Sequence, residues 1–191
     1  MSTSFETERA LRPELAHGER LLWSGRPARG VRFRAGDLFL VPFSLLWGGF
    51  AIFWESTVLA KGAPLFFALW GVPFVLMGLY LIVGRFFVDS YQRARTTYGV
   101  TDQRVIIISG LVSRAVQSLA LRNLADISLR ERADRSGSIT FGPTSPMYAM
   151  WYGAGWPGMD KKLTPAFEFI ENAREVHDLI RRAQRATERE R

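Results

Sequence analysis

The side chains able to do chemistry are few and scattered. Asp126, Glu131 and Asp134 are the nearest approach to a carboxylate set, within DISLRERAD. Paired acids can act as general acid and base, but these three lie along a strand and its turn, where solvation explains them. Glu55 follows directly on a long apolar run. An acid there is either an ion relay or an anchor at headgroup level, and its place at the end of the run favours the anchor. His17 and His177 stand far apart without ligand spacing. The chain has no cysteine, which excludes disulfides, thiolate-held zinc, iron–sulfur clusters and thiol nucleophiles. No phosphate-cradling glycine motif and no nucleophile elbow occurs. These patterns argue against catalysis and call for no cofactor or metal.

Two sets of residues remain that could bind. Arg93, Arg95 and Arg104 flank a hairpin pattern, TTYGVTDQRVIIIS. Near an anionic bilayer each basic residue is worth about 1 kcal/mol, although Arg93 and Arg95 also serve as plain positive-inside residues. The second set lies in 143–162, PTSPMYAMWYGAGWPGMDKK, a long segment rich in proline, glycine and aromatics with no period. Met147, Tyr148, Trp151, Tyr152 and Trp156 make it a candidate contact surface for a protein or the bilayer, or a lid folded back on the domain. The net charge is +7, and 22 of the 25 basic residues are arginine. That balance permits anionic lipid or nucleic acid as a partner. Nucleic acid is not expected, because no aromatic-and-basic stacking pattern occurs.

What must position these residues is a membrane element and a sheet. Leu38 to Trp54 and Gly62 to Gly84 contain no charged residue. As helices they would be about 25 Å and 34 Å long, the scale of a hydrocarbon core of about 30 Å. A chain this small cannot bury both, so they read as transmembrane. The short connection over 55–61 makes them an antiparallel hairpin. Gly48, Gly49, Gly71 and Gly78 would let the helices approach closely. Trp54 and Tyr80 read as interfacial anchors. Arginines at 26, 29, 32 and 34 precede the first helix, and 85, 93 and 95 follow the second, whereas the connection carries only Lys61. The positive-inside rule then places both termini in the cytoplasm. The N-terminal residues lack an apolar run and do not read as a cleavable signal.

Behind the hairpin come short strand patterns. Thr96–Val100 and Val105–Ser109 bracket a TDQR turn in which Asp102 can bond its own backbone. Ala115–Leu121, Asp126–Arg132, Ser138–Gly142 and Pro165–Ile170 follow. The spacing predicts an antiparallel sheet or small barrel. Asn172 with Glu175 is a capping-box pattern, and Val176, Leu179, Ile180 and Ala183 give the following helix one apolar face.

The sequences GERLLWSGRP (18–27), Trp54–Glu55, YGVTDQRVIIISG (98–110), SGSITFG (136–142) and FEFIENAREVHDLI (167–180) carry a resemblance over nearly the whole chain. It resembles small bacterial membrane proteins with a transmembrane helix hairpin followed by a bacterial pleckstrin-homology (PH)-like domain. The resemblance implies an α+β membrane protein, its sheet or barrel of about seven strands strongly bent and capped by the C-terminal helix. The strand missing from the residue-level count would lie in ERLLWSG or in the long loop. It also implies a non-enzymatic protein of the bacterial inner membrane. In eukaryotic PH domains basic residues at the first hairpin grip phosphoinositides, which is the loose parallel for Arg93, Arg95 and Arg104. The expected organisation is an N-terminal segment (1–36), the hairpin (37–84) and a cytoplasmic PH-like domain (85–191), close against the bilayer. Two functions stand. One is a membrane-anchored recognition or scaffold module that binds a protein partner, itself or the anionic surface. The other is an accessory subunit of a transport or envelope-stress complex, with the hairpin as the main contact.

Overall fold

The computed structural model describes residues 2–28, 30, 37–110, 114–142 and 164–189. They form two compact units, one over 37–89 and one from the rest. The aromatic segment 143–162, with Met147, Tyr148, Trp151, Tyr152 and Trp156, lies outside the described residues.

Seven strands build the larger unit: β1 (Leu21–Gly25), β2 (Thr97–Thr101), β3 (Arg104–Ser109), β4 (Ala115–Ala120), β5 (Ile127–Glu131), β6 (Gly137–Phe141) and β7 (Ala166–Ile170). They divide into two antiparallel sheets, β1-β2-β3-β4 and β5-β6-β7. The sheet is therefore not a closed barrel. The missing strand is the one anticipated in ERLLWSG: β1 pairs with β2, Ser24 opposite Gly99. Residues 2–28 and 30 thus cluster in the same compact unit as β2–β7.

The nearly unbroken apolar run of β3 has a physical reason. Alternate side chains of a strand point to opposite faces, and here both faces are covered. Val105 and Ile107 enter the main core with Tyr98, Val100, Ile139, Phe141 and Phe167. Ile106 and Ile108 pack on the other side against Leu11, at the end of a helix α1 (Ser2–Leu11) that the sequence reading did not anticipate. Gly99 permits that contact, since a Cβ there would come within 2.9 Å of the Leu11 side chain. Phe167 is fully buried, its ring 4.5 Å from that of Tyr98 and 5.1 Å from that of Phe141.

The C-terminal helix, Ala173–Arg189, buries Ala173, Val176, Ile180 and Ala183, the expected face except for Leu179. Its start is not a capping box. Asn172 takes a left-handed φ of 48°, whereas an N-cap is typically extended, and it is its carbonyl that accepts from the Val176 N–H.

The second unit is a pair of helices. Helix α2 runs Asp37–Ala60, longer than the expected 38–54, so Glu55 lies inside it rather than at its end. The helix runs on through the polar residues after Glu55, and Ser56 and Thr57 donate their hydroxyls back to the Phe53 carbonyl. Helix α3, Leu65–Leu79, continues through a π turn, Tyr80–Gly84, into α4, Arg85–Ala94. The stretch between the second apolar run and β2 is thus helical. We number the C-terminal helix α5.

Candidate functional site

The helix pair is built inside out relative to a water-soluble core. Ser44, Gly48 and Ala51 of α2, and Gly71 and Gly78 of α3, are its buried small residues. Leu38, Phe39, Leu46, Phe50, Phe53, Phe66 and Trp70 are exposed. A Cβ on Gly78 would lie 2.7 Å from the Gly48 Cα, whereas Gly49 has nothing within 4 Å. Small residues therefore set the approach, as expected for Gly48, Gly71 and Gly78 but not for Gly49. Helix α2 and the continuous helical run Leu65–Ala94 are each long and apolar enough to cross a membrane, and only 22% and 17% of their most apolar windows are buried.

At the open end of the pair Asp37 and Arg85 form a 2.8 Å ion pair, with both side chains at least nine-tenths buried. The sequence suggested a positive-inside role for Arg85; its pairing with Asp37 is tertiary. Glu55 packs against Gly71, where a Cβ would collide with its carboxylate. Its Oε2 is enclosed without a hydrogen-bond partner among the described residues.

Arg93, Arg95 and Arg104 do not converge. Arg93 is 4% exposed, donates to the Gly30 carbonyl at 2.7 Å and stacks on Phe169. Arg95 is exposed, with its guanidinium 4.4 Å above the Tyr91 ring. Arg104 opens β3, at the far end of the hairpin from both. β2 separates them, and five residues at about 3.3 Å each put them well over 10 Å apart. Nor does Arg104 face outward. Its Nε and Nη2 donate to both oxygens of Glu19 at 2.8 Å, and Nη2 also reaches the Glu14 carbonyl. The three arginines thus sit at separate places on the unit, each with its own contacts.

The Arg104–Glu19 pair explains the TDQR turn instead. Thr101 Oγ1 donates to Glu19 at 2.7 Å and accepts from the Gln103 and Arg104 amides, so Thr101, rather than Asp102, makes the turn. Asp102 Oδ1 accepts from the Arg20 amide. The Arg104 hydrogen bonds are the main cause that lowers the Glu19 carboxyl to about 2, with help from the Ala16 amide and Thr101 against the cost of burial. Glu131 and Asp134 are structural in the same way. Glu131 pairs with Arg174, and Asp134 accepts from the Ser136 amide and hydroxyl. His177 contacts its neighbour Asp178. Among the described residues no three His, Cys, Asp or Glu side chains gather as a metal site.

Two sheets, a capping helix and an apolar helix pair define a mixed α+β chain with a PH-like module. Residues 41–184 match the bacterial PH domain family, and the chain belongs to that family. No curated protein and no solved structure matches it. PH domains are typically non-catalytic interaction modules, and the match brings no enzymatic family with it.

Proposed function

We propose that the chain is a membrane-anchored recognition module. Its helix pair, 37–84, crosses the bacterial inner membrane twice, and its PH-like domain works at the cytoplasmic face. The observation that carries this is the outward display of large apolar side chains along both helices. In water that surface would be far larger than the few hundred Å2 that monomeric proteins expose. A second feature supports an even number of crossings. β1 precedes the pair and β2 follows it, yet they are neighbours in one sheet. Both ends of the pair must then lie on the same side. The flanking arginines support the cytoplasm as that side.

The module's work is binding, to a protein partner, to itself or to the anionic membrane surface. β4 is the last strand of its sheet among the described residues, with Val116 exposed, and an open strand edge suits strand addition. A second reading makes the helix pair the main contact of an accessory subunit. The ring contacts Phe39–Phe43–Trp47–Phe74–Trp70–Phe66 support it, because they form a continuous aromatic ladder across both helices.

The absence of cysteine allows single reporters. Lys61→Cys should react with an impermeant maleimide in spheroplasts, and Arg130→Cys only after lysis. Release of the chain by alkaline carbonate, or equal labelling at both positions, overturns the anchor. Light scattering of the full chain in detergent separates self-association from a foreign partner.

A further inference from the structure

The larger unit carries a basic cleft that none of the readings above uses. It is open, about 620 Å3 in volume, and lies between the turn Leu121–Asn123 with its following loop and the outer half of α5. Its walls are fixed. Leu121 and Leu124 are buried in the core, and Gln184 Nε2 donates to the Leu124 carbonyl at 2.8 Å, clipping the loop to the helix. Arg122 stands on one wall, and Arg181, Arg182 and Arg185 on the other, against the carboxylates of Asp178 and Glu188.

Arginines without an ion-pair partner also occur elsewhere in the unit, Arg12 and Arg130 among them, but these four line one cavity. Arg26, Arg104, Arg114 and Arg174 each sit on a carboxylate. The four in the cleft have no ion-pair partner among the described residues. Arg181 and Arg185 are four apart on one helix face, a spacing at which like charges destabilise the helix. An anion between them relieves that repulsion. Asp178 and Glu188 offset two of the four guanidiniums, and the end of α5 adds only about half a negative charge, so the cleft keeps a net positive charge of roughly one to two. The guanidinium fork matches phosphate oxygens in pairs, and the volume falls within the usual range for small-ligand sites, about 300–1,000 Å3.

We propose that this cleft binds a compact phosphate-bearing ligand, clamped between Arg122 and the Arg181–Arg185 pair. Its source is either a soluble phosphorylated compound or a lipid headgroup. The inference goes beyond the anchoring proposed above and does not depend on the helix pair crossing a bilayer.

The test uses the full chain in nonionic micelles, titrated calorimetrically with inorganic pyrophosphate and, separately, with short-chain dihexanoyl phosphatidylglycerol. The expected result is saturable binding of one probe that weakens about tenfold or more in Arg181→Gln/Arg185→Gln, and also weakens in Arg122→Gln on the opposite wall. The charge-matched pair Arg12→Gln/Arg130→Gln, outside the cleft, should change it by less than about twofold. Tighter binding of pyrophosphate assigns a soluble ligand, and tighter binding of the lipid assigns a headgroup. Absence of saturable binding of either probe at millimolar concentration overturns the proposal, as does equal weakening in both double variants.

Discussion

Protonating or removing the Glu19 carboxylate should loosen the join between the N-terminal segment and the β2–β3 hairpin. The Glu19 side chain is fully buried and Arg104 is 28% exposed. Holding this carboxyl at about 2 rather than 4.5 corresponds to roughly 3 kcal/mol of stability at neutral pH. Water at the exposed side of Arg104 screens part of that, leaving about 1–2 kcal/mol. A carboxyl whose folded value is depressed contributes fully above its unfolded value and loses the contribution as pH falls toward the folded one. The loss should therefore fall between about pH 5 and pH 2. Glu19→Gln should abolish this contribution and also leave the Arg104 guanidinium facing a neutral amide, lowering stability at pH 7 by about 2 kcal/mol. Amide hydrogen exchange of β2 and β3, on the full chain in micelles and corrected for intrinsic rates, reads it directly. Wild-type protection should drop by about tenfold between pH 6 and pH 3, whereas Glu19→Gln starts lower and changes less. Identical pH profiles for the two proteins would refute the assignment of the depressed carboxyl to this pair.

Gly78→Leu should separate the helix pair, because its Cβ already meets the Gly48 backbone, whereas Gly49→Ala should leave the melting temperature in micelles unchanged or raised. Asp37→Asn should cost about 3 kcal/mol by leaving Arg85 buried without its counter-ion, and Asp37→Asn/Arg85→Met should recover much of it in the same melt. Phe167→Ala removes a fully buried ring and should destabilise the sheet unit by about 3–5 kcal/mol, read by the same hydrogen exchange. Glu55→Gln should hold or raise the melting temperature of the helix pair, since an enclosed carboxylate oxygen without a partner gains nothing from its charge.

The repeating parts of the molecule were legible from the residues. Alternation, β-branched runs and turn residues located β2 to β7 within a residue or two at each end. Uninterrupted apolarity located the helix pair, because both signals arise from a residue and its near neighbours in the chain. The helix α1 was missed because its signal is thin: Thr7, Leu11 and Leu15, four residues apart, in an otherwise polar stretch. It becomes visible only once β3 needs a cover for Ile106 and Ile108. The fate of each arginine was not legible at all. Arg104 and Glu19 are 85 residues apart and Arg85 finds Asp37 from the other end of the hairpin. The cleft joins a turn near Arg122 to the far end of α5. An arginine in sequence is one positive charge. Whether it stacks on a ring, closes a buried pair or waits open in a cleft depends on which distant segments the two sheets bring beside it.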